Sequence, residues 1–315
     1  MSTETEFISD TSENLTPSSV QADIDTCVPF PTELTDQTTF YSSESEIRKP
    51  LRLIKNIFQS FWDGRELAWR IFIRNLNALY RQTLLGLFWA FLPPLANTAI
   101  WIFLRSQNVF EMGETGVDAT VYILTGMILW QAFIDAFKVP MDALNKNKNM
   151  LSRLNFPRES LLLVGFCEVM FNLAIRILLL VPAFVIFKVP ISAGALLALP
   201  TIILMVCLAI ALGLFLMPVG SLYKDVGRFI AMFLPFWMII TPLIYVPPTN
   251  FPGTLLNWLN PASPLLLVSR DLLLTGQTPH AAIGVIFALL AIPLLLIGLI
   301  VYRISLPILI ERMPT

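Results

Sequence analysis

ISAGALLALPTIILMVCLAIALGLFLM, residues 191–217, decides the class of this protein. The stretch contains no charged side chain and no alternation of period two, so it reads as a continuously apolar helix and not as a barrel strand. About 20 such residues cross the ~30 Å hydrocarbon core of a bilayer, and a helix satisfies its own backbone hydrogen bonds there. Comparable runs predict further spans near 84–104, 119–137, 160–182, 229–246 and 281–302, six in all. The second ends in Asp135 and Lys138, the third carries Glu168 and Arg176, and the fifth is short. Composition agrees with the pattern. Hydrophobic residues make up 56% of the chain and charged residues 14%, and the mean hydropathy is +0.70, more apolar surface than a soluble core can hide.

Outward from the spans, Lys and Arg set the orientation. With the N-terminus inside, seventeen of the 21 basic residues fall on cytoplasmic segments and three outside, namely Arg105, Lys188 and Arg270, while Arg176 lies within a span. That bias predicts an even number of spans with both termini cytoplasmic. Residues 1–46 form a separate region with ten acidic residues and no Lys or Arg, too polar to bury a core and therefore expected to be a disordered acidic tail. The tail has neither a basic start nor an apolar run, so it does not read as a signal peptide. The expected order is the tail 1–46, a cytoplasmic amphipathic interface region 47–83, a six-helix membrane domain 84–302 and a cytoplasmic C-terminal tail 303–315. Net charge is −1, which gives no reason to expect a nucleic-acid partner. Cys27, Cys167 and Cys207 have no metal or disulfide spacing.

The connecting segments carry the informative polar residues. ELAWRIFIRNLNALYRQT, residues 66–83, places Leu67, Trp69, Ile71, Phe72, Leu76, Leu79 and Tyr80 mostly at helical spacing and Arg70, Arg74, Asn77 and Arg81 on another side, the pattern of a helix lying on the inner membrane surface. Residues 143–160, ALNKNKNMLSRLNFPRES, are basic with apolar positions of their own and suit a short cytoplasmic helix ended by Pro157; a plain positive-inside loop fits as well. SLYKDVGR, residues 221–228, is a second cytoplasmic turn. From Val246 to His280 the chain is apolar yet broken by Pro247, Pro248, Pro252, Gly253, Pro261 and Pro264, which suits re-entrant or interfacial helices near the outer surface or an ordinary folded loop. Within the membrane Glu168, Asn172 and Arg176 lie on one stripe of the third span. Ionisable groups at that depth must pair, either as a polar clamp between helices or as a substrate or proton site. There is no Gly-x-x-x-x-Gly-Lys-Ser/Thr pattern, a single histidine, His280, and no catalytic or metal-ligand constellation, so the chain does not read as an ATPase or an enzyme.

ALYRQTLLGLFWAFLPPL, residues 78–95, resembles the start of the first span in ABC-type polysaccharide export permeases, with Tyr80, Arg81, Gln82, Thr83, Leu85, Gly86, Trp89 and Pro93 matching. In order follow YILTGMILWQAF at 122–133, NMLSRLNFPRESL at 149–161, SLYKDVGR at 221–228, TPLIY at 241–245 and NPASPLLLVSRDLLL at 260–274, each similar to an element of that family. Lys224 stands where arginine is usual, and the acidic tail is not part of the pattern. The resemblance implies a membrane subunit that forms a homodimer and pairs with two copies of a separate ABC ATPase, which would bind ATP and Mg while this chain holds no cofactor or metal. It implies a lipid-linked polysaccharide such as O-antigen as substrate, and the bacterial cytoplasmic membrane as location. Asn149, Leu151, Arg153, Phe156, Pro157 and Arg158 would belong to a coupling helix seated on the ATPase. Arg70, Arg74, Tyr80 and Arg81 would belong to the interface helix, and Asn260, Pro261 and Arg270 to the exit-side loop. Aromatic faces suit the CH groups of a sliding sugar chain, so Trp89, Trp101, Trp130, Phe133, Phe137, Trp237 and Tyr245 are candidates for lining the channel; membrane-interface belts use the same residues. Competing readings are an ABC permease for a drug or small lipid, and an ion-coupled secondary transporter built on Glu168 and Arg176. The latter class often shows inverted repeats, and none is evident.

Overall fold

The computed structural model describes residues 50–81, 88–109, 113, 115–147, 157–190, 192–248, 250 and 253–312. Their regular structure is helical throughout: α1 (Pro50–Arg81), α2 (Phe88–Ser106), α3 (Ala119–Lys146), α4 (Ser160–Ile186), α5 (Gly194–Leu222), α6 (Lys224–Ile240), α7 (Gly253–Leu259), α8 (Ser263–Leu274) and α9 (Ala281–Arg312). The expected tail 1–46 lies outside the described residues. Among the described residues four helices, α3, α4, α5 and α9, are long and apolar enough to cross a membrane. Neither α2 nor α6, with 19 and 17 residues, is among these four. Pro93, Pro94 and Asn97 dilute the first, and Lys224, Asp225 and Arg228 occupy the start of the second. At 1.5 Å per residue α6 is about 26 Å long, at the lower edge of what a span needs.

Local chemistry sets the ends of the helices. Pro50 opens α1, where its fixed φ is helical and its missing N–H would be unpaired anyway. Asp118 caps α3 by accepting from the Thr120 amide at 2.7 Å. Tyr223 alone separates α5 from α6, in an extended conformation (φ −116°, ψ 113°) that forces the chain to turn. Thr241 ends α6 in an extended conformation because Pro242 follows and disfavours helical geometry in the residue before it.

Several helices exceed their expected bounds. The amphipathic helix begins at Pro50 and not near 66; the polar run through Gln59, Ser60, Asp63 and Gly64 hides the continuing register of Ile57, Gly64, Ala68, Ile71 and Phe72, all buried. The second span continues past Asp135, Lys138 and Pro140 to Lys146, so Ala143 and Leu144, expected to open a separate cytoplasmic helix, are buried in α3. The last span continues to Arg312, through residues expected to be tail. The fifth is displaced from its expected bounds of 229–246: the helix begins at Lys224 and stops at Ile240, and residues 241–245 fold inward, with Thr241 and Leu243 fully buried.

Burial separates the inner helices from the outer ones. The apolar stretch of α3 is 83% buried and that of α5 56%, against 28% for α4 and 22% for α9. α3 and α5 pack closely because Gly213 lies against the Phe137 carbonyl, where any Cβ would collide. α8, buried along most of its length, fills the space between α3, α5 and α9 at one end of the bundle. Around this core, α2 and α6 present broad apolar faces. On α6 Phe229, Met232, Phe233, Phe236, Ile239 and Ile240 recur every three or four residues and are all exposed.

Candidate functional site

Polar interactions concentrate at three levels of the bundle: the end carrying α1 and Pro157, the middle of α3 and α4, and the end carrying α7 and α8. At the first, Asn75 on α1 donates to Glu168 on α4 at 2.8 Å, so the amphipathic helix is hydrogen-bonded to the third predicted span. Opposite its buried stripe α1 exposes Phe58, Trp62 and Trp69, with the Arg65 guanidinium 4.1 Å above the Trp62 ring. Amphipathic rings beside cations are the equipment of a helix in the headgroup layer. Arg70 is exposed and paired with Glu66 at 2.6 Å, and Arg74 is exposed. Pro157 closes a tight turn into α4, its carbonyl accepting from the Ser160 hydroxyl at 2.6 Å.

In the middle, Arg176 meets Asp135 of α3 at 2.6 Å, and Gln131 donates to the same carboxylate at 2.9 Å. The Arg176 side chain is 9% exposed and Asp135 25%. The partners of Glu168 and Arg176 are therefore on two other helices, and the stripe they share with Asn172 is not a paired unit. The signal was an acidic residue and a basic residue in neighbouring apolar spans, each costly alone.

At the third level Arg270, 1% exposed, donates to the carbonyls of Pro242 at 2.8 Å and Leu243 at 3.3 Å and lies 3.9 Å above the Tyr122 ring. Asn260 accepts from the Trp237 indole at 2.8 Å and from the Ala262 amide at 3.1 Å, and donates to Thr241 at 2.9 Å. The two residues hold the non-helical strand 241–245 against α3, α6 and α8. Next to them α7, α8 and the start of α9 enclose a cavity of about 220 Å³ lined by Pro248, Asn257, Trp258 and His280 among others. His280 Nδ1 lies 3.1 Å from the Asp271 carboxylate.

The sequence that forms these elements matches a known protein family. The profile of the ABC-2 type transporter family matches residues 66–274, from the middle of α1 to the end of α8. The chain belongs to that family. The O-antigen export system permease protein RfbA of Klebsiella pneumoniae is 22% identical over 242 residues, 73% of this chain and 88% of that protein. The protein of the same name from Myxococcus xanthus is 20% identical over 243 residues, 73% of this chain and 87% of its own.

In this ABC-2 transporter subunit the residues singled out from sequence fall into distinct positions. Asn149, Leu151, Arg153 and Phe156 lie outside the described residues; Pro157 and Arg158 sit at the turn into α4. Tyr80, Arg81 and Trp89 are in helices, described by their backbone alone. Trp130, Phe133 and Phe137, candidates for lining the channel, are buried in this chain around Trp237, another of the candidates. Trp130 stacks on Phe133 at 5.7 Å and all three rings meet Trp237 edge-on at 5.5–5.9 Å, an arrangement of a packed core. Trp101 and Tyr245 are half-buried. Pro261 starts the turn into α8, and Asn260 and Arg270 both contact the non-helical segment 241–245. Sequence reading missed Tyr122, Thr241 and Asp135, uncharged or peripheral in the pattern, whose importance comes only from what they touch.

Proposed function

We infer that this chain is the channel-forming membrane subunit of an ATP-driven exporter that carries a lipid-linked polysaccharide such as O-antigen across the bacterial cytoplasmic membrane. The alignment with O-antigen export permeases over nearly their whole length carries this reading. Two copies of the chain act with two copies of a separate ABC ATPase, which binds ATP and Mg; this chain binds neither. All six apolar segments cross the bilayer, with both termini cytoplasmic and α7 and α8 re-entering from the outer side. The wide apolar faces of α2 and α6 support a second copy as neighbour, since they belong to the two shortest of these segments and have least burial of their own. ATP-driven closure of the ATPases would shift the population of the helix pairs between closed and open arrangements, with no covalent chemistry in this chain.

The buried ionisable groups favour this over ion coupling. Arg176 is matched by Asp135 and Glu168 by Asn75, so both act as clamps between helices. The deciding experiment deletes the gene and follows the glycan. Lipid-linked polysaccharide should accumulate on the cytoplasmic face and vanish from the surface, and ATPase copies encoded nearby should co-purify with the chain. Normal surface glycan in the deletion strain would refute the reading, as would transport that persists without ATP and collapses with an ion gradient.

A further inference from the structure

The turn that leads from the basic segment 143–158 into α4 is gripped from two sides. On one side α1 approaches so closely that a Cβ on Gly64 would lie 2.9 Å from the Cβ of Ser160. On the other, the last span delivers two consecutive residues. Tyr302, 1% exposed, donates its hydroxyl to the Arg158 carbonyl at 3.1 Å. Arg303 places its guanidinium 3.5 Å from the Glu159 carboxylate, with side chains only 15% and 9% exposed.

We propose that Tyr302 and Arg303 are positioning residues, which lock the inner end of α9 to the Arg158–Glu159 turn so that movement of the loop before α4 is passed directly to the last span. The inference rests on the reading of segment 143–158 as the part that docks on the ATPase. Among the described residues α9 packs mainly on α5 and α8, with a smaller contact on α1. Apolar packing alone would have let the turn slide, because it lacks direction. The Tyr302 hydroxyl held on the Arg158 carbonyl fixes distance and orientation, and the Arg303 guanidinium, in charge contact with the Glu159 carboxylate without a hydrogen bond from Nη1, adds short-range attraction at the next residue. A buried ion pair is a weak general stabiliser compared with apolar residues of the same volume, so its value here is geometric. The pair also sits where a push has leverage: one residue before α4 and within three residues of the end of the segment that would meet the ATPase. Load arriving at that loop would reach α4 through its first turn, α1 through Gly64 and α9 through Arg303.

The test uses the full chain in nanodiscs with its ATPase and two readouts. The first is amide exchange at residues 160–163 in the chain alone; the second is glycan exported per ATP hydrolysed, at equal amounts of assembled complex. Glu159→Gln and Arg303→Gln should each raise exchange at 160–163 and lower export per ATP at least tenfold while the ATPase stays bound and continues to hydrolyse ATP. Tyr302→Phe should lower it two- to threefold. The exchanged pair Glu159→Arg with Arg303→Glu should recover at least half of the parent ratio. An unchanged export ratio in the single variants, with exchange raised, would reduce the clamp to a packing feature and overturn the proposal. So would an exchanged pair no better than the worse single variant. If the parent chain binds no ATPase, the docking reading and the transmission role fall together, and raised exchange in the two single variants would then still separate a real clamp from no clamp.

Discussion

Replacing Arg176 with leucine separates the structural reading of the intramembrane charges from a transport reading. Asp135 lies sixteen residues into α3, about 24 Å along it at 1.5 Å per residue, and so well inside the span. Its carboxylate is then left with Gln131 as its neighbour, in an environment where only a quarter of its side chain is exposed. Removing one member of a buried pair typically costs about 3–5 kcal/mol, because the other charge stays buried without compensation. The residual exposure of Asp135 argues for the lower end, about 3 kcal/mol, or roughly a hundredfold shift in the folded-to-unfolded ratio. Asp135→Leu should cost a similar amount by stranding Arg176. The double variant Asp135→Leu, Arg176→Leu removes both charges and should fall within about 1 kcal/mol of the parent. Reversible unfolding in mixed micelles, followed by tryptophan fluorescence, measures all four proteins. If the double variant loses the sum of the single losses, the pair is not a coupled clamp and the reasoning fails. If it folds as the parent does yet abolishes export, the charges take part in transport and not only in packing.

Four further outcomes follow from the contacts. Asn260→Leu leaves the Trp237 indole and the Thr241 hydroxyl without their partner and should cost about 2–3 kcal/mol; a matching red shift of Trp237 emission would locate the change, and unaltered stability would argue against the latch. Arg270→Lys keeps the charge but loses the planar group that reaches two carbonyls and covers Tyr122, so abundance in the membrane should fall severalfold, and normal abundance would count against that role. Glu168→Ala should reduce assembled protein more than it alters substrate choice, since Glu168 holds α1 to α4 through Asn75; a normal amount of protein with changed export specificity would overturn it. Charge reversal at Arg153 and Arg158 should weaken co-purification of the ATPase, and unchanged co-purification would remove the docking assignment.

What could be read in the sequence was decided by one-dimensional signals. The apolar runs around 191–217 and 281–302 were legible because lipid imposes a length and forbids charge, and α5 and α9 occupy them; the run 160–182, occupied by α4, was legible from its length in spite of Glu168 and Arg176. The break in 246–280 was legible from its prolines, and α7 and α8 are the two short helices it allows. Helix ends were harder. The stop at Ile240 depends on Pro242 acting through Thr241 and on Arg270 binding the carbonyls beyond, and the second of these comes from a residue 27 positions away or more. The candidate aromatics show the same limit: Trp130, Phe133 and Phe137 differ in no sequence property from channel-facing rings, and only the position of Trp237 shows them to be enclosed.

Charge inside an apolar span gave the most useful ambiguity. A lone Glu168 or Arg176 reads as an ion site because lipid makes it expensive, and the same cost makes it the best available device for fixing one helix against another. The two roles differ in what surrounds the group. A transported ion or proton needs a site that exchanges with water, whereas a clamp needs a partner of matched geometry and little else. Asp135, itself held by Gln131, pairs with the Arg176 Nη1 while the Arg176 Nε stays without a partner, and Asn75 donates to Glu168, each from a separate helix. The two contacts tie α4 to α3 in the middle of the bundle and to α1 at its surface. α4, the span that carries Glu168 and Arg176, is thus held directly to both the buried core and α1. A movement that begins at α1 or at the turn before α4 cannot leave α4 behind unless one of these bonds breaks first.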